Sequence, residues 1–222
     1  MTALSSTSVP SPSHPCEPSR ECPLCPRLVH FREQARAREP DWHNAPVPSF
    51  GGTDARLLIV GLAPGLRGAN RTGRPFTGDY AGALLYQTLS DVGLSRGTFD
   101  ARPDDGLVLI DTMLTNAVRC VPPENKPTGE EIATCRPFLA ATMAAMPRLQ
   151  VMVALGRIAH ESALRALGAS PGRFPFRHTA RHEVGSVVLH DSYHCSRYNT
   201  QTRRLTPEMF RAVFDAVRAD LG

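Results

Sequence analysis

The sequence predicts an α/β fold, a parallel sheet with helices on both faces. Three observations carry this. Short apolar runs, among them residues 56–63 and 151–155, recur along the chain. They are continuous rather than alternating, the pattern of strands covered on both faces. Segments of helical period lie between them, and strands that alternate with helices join into a parallel sheet.

The elements follow in order. Residues 1–20, "MTALSSTSVPSPSHPCEPSR", are rich in Ser and Pro and read as a disordered tail. Residues 21–222 read as one domain. A short helix is expected from Leu28 to Arg38, and residues 39–53, with three prolines and Gly51-Gly52, as irregular chain. Residues 56–63 form the first strand. Leu84, Leu85 and Leu89 share one face of a helix over residues 81–92 that Gly93 ends. A second strand is expected at residues 107–111. Thr128 and Glu131 make a capping box for a helix running to about Met146. Residues 151–155 form the third strand, residues 157–167 a helix ended by Gly168, and residues 186–190 the fourth strand. Thr206-Pro207 supplies an N-cap and a first-turn proline for a last helix to about Asp220.

Composition narrows the class. The 222 residues are 41% hydrophobic and 21% charged, with a net charge of +4. These are ordinary values for a globular protein, and the mild positive charge suits an anionic partner without requiring one. No run of about 18 apolar residues and no signal peptide is evident, so a cytoplasmic protein is expected. Of the 25 basic residues only Lys126 is a lysine. A mechanism that needs a lysine amine therefore has one candidate.

After the first strand comes "VGLAPGLRGANRTGRPFTGDY", with five glycines and two prolines. It sits where phosphate-binding loops sit, yet it has neither G-x-x-x-x-G-K-[ST] nor G-x-G-x-x-G. In open parallel sheets the site lies at the carboxyl ends of the strands. This loop, the segment at Asn116 and the stretch after His190 all follow strands and can converge there. Six cysteines in a cytosolic chain argue for metal binding or reactivity. Cys22-x-x-Cys25 has chelating spacing, and Cys120 and Cys135 flank "VPPENKPTGEEIAT". Spacing alone leaves zinc, a [4Fe–4S] cluster and free buried cysteines open. Cys16 and Cys195 are left over.

"GLAPGLRGANRTGRPFTGDYAG", "LTNAVRCVPPENKPTGEEIATCRPFL" and "HCSRYNTQTRRLT" together resemble the iron–sulfur branch of the uracil-DNA glycosylase superfamily, family 5. The resemblance covers Cys22 to about Phe214. It implies a three-layer α/β/α sandwich around a four-stranded, mainly parallel sheet, with a loop region that binds a [4Fe–4S] cluster on Cys22, Cys25, Cys120 and Cys135. It implies hydrolytic removal of uracil, and of hypoxanthine or other deaminated bases, from double-stranded DNA by a monomer. The sequence departs from the superfamily at two places. A frequent H-P-S-P motif reads His194-Cys195-Ser196-Arg197, and Leu62 stands where other branches carry a polar residue acting on water.

A glycosylase takes a base out of the stack, reads its edge and breaks the bond to C1′. Gly61, Ala63 and Gly65 are expected to let the backbone approach the base, with Phe76 stacking on it. The Asn116 amide offers the donor and acceptor that match uracil O4 and N3–H. His194 is expected to donate to base O2 as negative charge develops. Asp79 either positions water and stabilises the sugar cation, or caps the following helix. Ser196, Arg197 and Asn199 are expected at a phosphate, Tyr198 in the gap left by the base, and Arg203 and Arg204 on the backbone. Without a lysine nucleophile the abasic site stays intact. Two other classes fit some motifs, an iron–sulfur redox protein and a non-catalytic module that binds damaged DNA.

Overall fold

The computed structural model describes residues 17–222. The expected tail and Cys16 lie outside the described residues as far as residue 16. Glu17, placed by sequence in that tail, is instead tied down. Its carboxylate pairs with Arg119 Nη1 at 2.9 Å and accepts from the Ser49 amide at 3.0 Å.

Helix α1, Pro26–Arg38, opens the described chain, with Pro26 in the first turn where no amide hydrogen is needed. Strand β1 is Leu57–Gly61, followed by a short turn α2, Ala69–Thr72, and by α3, Tyr80–Asp91. Two short strands, β2 (Ser95–Arg96) and β3 (Val108–Leu109), pair with each other away from the main sheet. Then come β4 (Thr112–Asn116), α4 (Gly129–Ala144), β5 (Val151–Leu155) and α5 (Arg157–Ala166). Strands β6 (Arg181–Val184) and β7 (Val187–Ser192), helix α6 (Arg197–Gln201) and helix α7 (Pro207–Leu221) complete the fold.

The main sheet has the order β4-β1-β5-β7-β6. The first four strands are parallel, as expected, and β6 adds a fifth, antiparallel edge strand that the sequence reading lacks. Its RHEV alternates only one buried residue with exposed ones, too weak a pattern to be read from sequence. A second correction concerns the strand expected at residues 107–111. That run contributes β3, and the sheet strand is the more polar TMLTN of β4. Asp111, at φ 50, breaks the chain between them, and its carboxylate binds the Arg56 backbone amide at 2.8 Å. The buried hydroxyls of β4 find partners: Thr112 bonds to Ile110 O and Thr115 accepts from Ser49. Satisfied hydroxyls can occupy a core strand.

Alternation along β1 builds the layers. Leu57 and Ile59 pack with Leu85 and Leu89 of α3 and Phe210 and Phe214 of α7. Leu58 and Val60 face the other way, onto Leu139 and Met143 of α4 and Ala159 and Ala163 of α5. The result is three layers, helix on sheet on helix. A smaller apolar cluster under α1 contains Leu28, Val118 and Cys135, with Cys25 and Cys120 beside them. No helix of the described residues is long and apolar enough to cross a membrane.

Buried ion pairs fasten the long loops. Arg74 and Asp105 are bidentate at 2.8 and 2.7 Å, with side chains 4% and 0% exposed. The Arg74 guanidinium lies 5.1 to 5.6 Å from the ring centres of Phe50, Tyr86 and Phe99. Hydrogen bonding to Arg74 drives the Asp105 carboxyl far below the usual range, against the opposing effect of burial. A carboxylate with a depressed folded pKa stabilises the fold above its unfolded value of about 3.9, and that stability is lost as pH falls towards the folded value. Removing one partner of a buried pair strands the other. Arg74→Ala is therefore expected to lose about 3–5 kcal/mol in urea unfolding at pH 7, and less as pH falls below about 3.9, where the unfolded chain takes up the proton. An Arg74→Ala protein as stable as the parent at pH 7 would show the pair to be dispensable.

Candidate functional site

Strands β1 and β4 end side by side, with Gly61 opposite Asn116. A side chain at Gly61 would occupy the space taken by Asn116 Oδ1 and the tip of the Phe76 ring. Glycine is needed here for close approach. Phe76 sits at φ 55, in the left-handed region that a bulky residue avoids, and is 6% exposed. The neighbouring residues hold it there. Arg74 is locked by Asp105, and the Tyr86 hydroxyl donates to Pro75 O at 2.7 Å. Such strain persists where the surroundings over-determine it, and it concentrates at ligand sites.

The His194 ring lies 6.4 Å from the Phe76 ring, between centroids. Burial pushes its pKa down to about 4, so the imidazole is neutral near pH 7. It follows β7, in the loop that lacks the stiffening prolines of H-P-S-P. Other contacts hold this loop. Asn199 Nδ2 donates to His194 O at 2.8 Å, Ser196 caps α6, and the buried Cys195 thiol lies 3.5 Å from Ala81 O.

Next to these groups opens a cleft lined by Leu62, Ala63, Gly65, Asp79, Asn125, His194, Ser196 and Arg197, with Tyr80 and Ala81 at its edge. Asp79 is the N-cap of α3, accepting from Gly82 N at 3.1 Å, and it also faces this cleft. Of the two roles the sequence offered, the helix cap is the one seen, and the carboxylate also lines the cleft. A Cβ on Gly68 would come within 2.9 Å of Asp79 Oδ2, so the loop closes tightly on the carboxylate. The residue as a whole is exposed, yet the protein crowding its carboxylate raises its pKa through desolvation.

Of the residues singled out by sequence, Gly61, Ala63, Gly65, Phe76, Asn116, Asp79, His194, Ser196 and Arg197 therefore come together. Tyr198 is 71% exposed, and neither it nor Arg203 lines the cleft. Asn199 and Arg204 line a second cleft that shares His194 with the first. Sequence reasoning missed Asn125. It arrives from the loop between Cys120 and Cys135 through two left-handed residues, Glu124 and Asn125 at φ 54 and 57. The Pro-Pro-Glu-Asn turn signals a bend there but gives no direction.

The four cysteines Cys22, Cys25, Cys120 and Cys135 line one pocket between α1 and the middle of α4. Among the described residues, no three of these thiols lie within 4.8 Å of one another. Thiolates on a single tetrahedral zinc would be about 3.8 Å apart, from bonds of about 2.3 Å. Arg32 is 2% exposed and has no carboxylate partner among the described residues. It reaches Cys120 Sγ at 3.8 Å and Cys22 O at 3.2 Å, while its buried Nε has no partner. A buried guanidinium so placed calls for negative charge on the sulfurs. The Arg119 amide also points at Cys135 Sγ, at 3.3 Å. The donor set thus fits an anionic group held by four thiolates and wider than one zinc ion.

Residues 48–218 match the model of the uracil DNA glycosylase superfamily. The chain is 50% identical over 199 residues to the type-5 uracil-DNA glycosylase of Thermus thermophilus, covering 86% of this chain and 90% of that one. It is 38% identical over 205 residues to the type-5 enzyme of Pyrobaculum aerophilum, covering 90% and 89%. To that of Mycobacterium tuberculosis it is 43% identical over 203 residues, covering 87% and 75%.

A folded pKa of about 4 for His194, below the unfolded value of about 6.5, has a stated sign. Between these values the unfolded chain takes up a proton that the folded site refuses, so His194 costs stability as pH falls from about 6.5 towards 4. The ring proton resonances of His194 are expected to titrate near pH 4. A midpoint between 6 and 7 would mean that the ring is charged near neutrality and solvated.

Proposed function

The chain belongs to the uracil-DNA glycosylase superfamily, and from that premise we propose that it removes uracil from DNA by hydrolysing the N-glycosidic bond. The observation that supports this most is the meeting of Phe76 and Asn116 over Gly61, with the His194 ring 6.4 Å from that of Phe76. An aromatic face, an amide edge and a neutral imidazole are the three groups that hold a flipped pyrimidine and receive its charge. Phe76 stacks on the base, and the Asn116 amide pairs with O4 and N3–H. His194, neutral near pH 7, donates an N–H to O2 as the bond stretches, where an imidazolium would first have to be desolvated.

Leu62 offers no polar atom to water, so the bond breaks ahead of the attack and water is captured late. Asp79, beside the cleft, positions that water and stabilises the cationic sugar. Lys126 is 80% exposed and pairs with Glu124, which supports a reaction without a Schiff base and an intact abasic product. Leucine at 62 also removes a polar check on the base, so hypoxanthine and other deaminated bases are further substrates in this reading. The DNA is duplex, the enzyme monomeric, and Ser196, Arg197, Tyr198, Asn199, Arg203 and Arg204 contact its backbone or fill the gap left by the base.

In the same reading Cys22, Cys25, Cys120 and Cys135 hold a [4Fe–4S] cluster, which fits the spread of the thiols and the buried charge of Arg32. When bound, it links α1 to the loop that carries Asn125 and so braces one wall of the cleft. This role is structural.

Single-turnover release of uracil from a duplex tests the chemistry. His194→Ala is expected to slow it by about 100- to 1000-fold, the usual cost of one oxyanion-type donor. Asp79→Ala should cost about 10- to 100-fold. If Asp79→Ala abolishes release while His194→Ala barely changes it, Asp79 is the catalytic base and the leaving-group account fails. Protein purified without oxygen should carry about four irons per chain. Cys120→Ser should lose them and Cys195→Ser should keep them. Stoichiometric zinc without iron would refute the cluster.

A further inference from the structure

Two histidines meet one aspartate away from the base cleft. His160 of α5, His182 of β6 and Asp191 of β7 each bring a ligand atom within 4.8 Å of the other two. The side chains of His160 and Asp191 are 1% and 0% exposed, and that of His182 is 11% exposed. His160 Nδ1 lies 2.7 Å from Asp191 Oδ1, and His182 Nε2 lies 3.1 Å from Oδ2. None of the three lines the base cleft or the cysteine pocket.

The protons of His160 do not balance. Its Nε2 is 2.8 Å from the carbonyl of Phe174, which can only accept, so Nε2 carries the hydrogen. A neutral imidazole then has a lone pair on Nδ1, and that lone pair faces a carboxylate oxygen. Two acceptors this close need a cation between them, either a proton or a metal ion. Asp191 Oδ2 also accepts from the Arg177 amide at 3.4 Å, which helps to hold the carboxylate in place. His182 Nδ1 has no hydrogen-bond partner among the described residues, so its proton can sit there and leave a lone pair on Nε2.

The surroundings favour a metal. Histidine ligands usually donate their other N–H to a carboxylate or a backbone carbonyl, as His160 does to Phe174. Apolar walls restrict water: the Phe176 ring meets His160 edge-on at 5.5 Å, and the Phe174 ring meets His182 at 5.7 Å. Two imidazoles and one carboxylate suit zinc, whereas calcium and magnesium take shells of oxygen. Donors on a tetrahedral zinc lie about 3.3–3.4 Å apart, from bonds of about 2.0–2.1 Å. Opening the 2.7 Å contact by about 0.6 Å would reach that spacing.

We propose that His160 Nδ1, His182 Nε2 and the Asp191 carboxylate bind one zinc ion, with water in its fourth position. The ion ties α5 to β6 and β7 and fixes β7 three residues ahead of His194, so its role is structural. The site does not depend on the glycosylase reading or on what the four cysteines hold.

The test is zinc binding by protein purified without oxygen and freed of loosely held metal by brief dialysis against a chelator. About one zinc per chain is expected beside any iron, with release of about one proton as the ion replaces it. Zinc at a hundredfold excess over its Kd should raise Tm by about 5 to 10 °C. His182 is the most exposed of the three ligands, and His182→Gln should weaken zinc binding by at least about tenfold, since changes even outside the ligand shell cost that much. Cobalt used in place of zinc should show d–d absorption without the intense near-ultraviolet band of thiolate ligation. His182→Cys should keep the ion and bring that band in, because sulfur is also a zinc ligand. A parent protein that binds no zinc at about 0.1 mM would overturn the proposal, and a proton would then join His160 to Asp191. Parental affinity in His182→Gln would overturn it too, as would a thiolate band in the parent as the sole cobalt signal.

Discussion

The site depends on a side chain that is absent. At Gly61 the sheet ends without a Cβ, and into that space come the ring of Phe76 and the amide of Asn116. Even one methyl group would push both away, because strands β1 and β4 are locked in register and cannot separate. The parallel sheet thus does more than bury apolar surface. It fixes two neighbouring strand ends in register, with Gly61 at one and Asn116 at the other. The glycine-rich loop that looked like a phosphate cradle serves a different purpose, as a close-fitting frame around Asp79 and the cleft.

Frames of this kind consist largely of polar, irregular chain, which gains little from burial. Buried ion pairs secure it. Arg74 and Asp105 hold the turn that places Phe76 in an unfavourable backbone conformation. Arg119, 1% exposed, gathers Glu17, Ser49 and Thr142, joining the first described residues to the segment after Asn116. Arg32 turns towards the thiols instead of a carboxylate. Each arginine uses several of its five donors at fixed angles, which a lysine could not do. The near absence of lysine, whatever its origin in composition, is put to structural use here.

The electrostatics of the two clefts are opposite in character. Around His194 and Asp79 the protein removes water, keeping the imidazole uncharged and raising the carboxyl pKa. Such a place is suited to charge that appears only during the reaction. In the second cleft the surface carries permanent, solvated positive charge with aromatic support. His194 lines both clefts.

The sequence by itself determined the α/β class, the helix caps at Thr128 and Thr206, and the apolar strands of β1 and β5, because period and capping chemistry are local. Motif resemblance gathered Gly61, Phe76, Asn116, Asp79 and His194 before any geometry was known. Local pattern failed where partners are distant. The Thr115 hydroxyl of β4 is buried in a core strand with Ser49, 66 residues away, as its partner. Glu17 looked like part of a disordered tail, yet an arginine 102 residues away holds it. Nothing near Arg157 or Arg177 in the chain marks them as neighbours of the site, and the turn at Asn125 gives no direction. The tertiary structure decided these, since the value of a hydroxyl, a charge or a left-handed turn depends on what faces it, and what faces it comes from elsewhere in the chain.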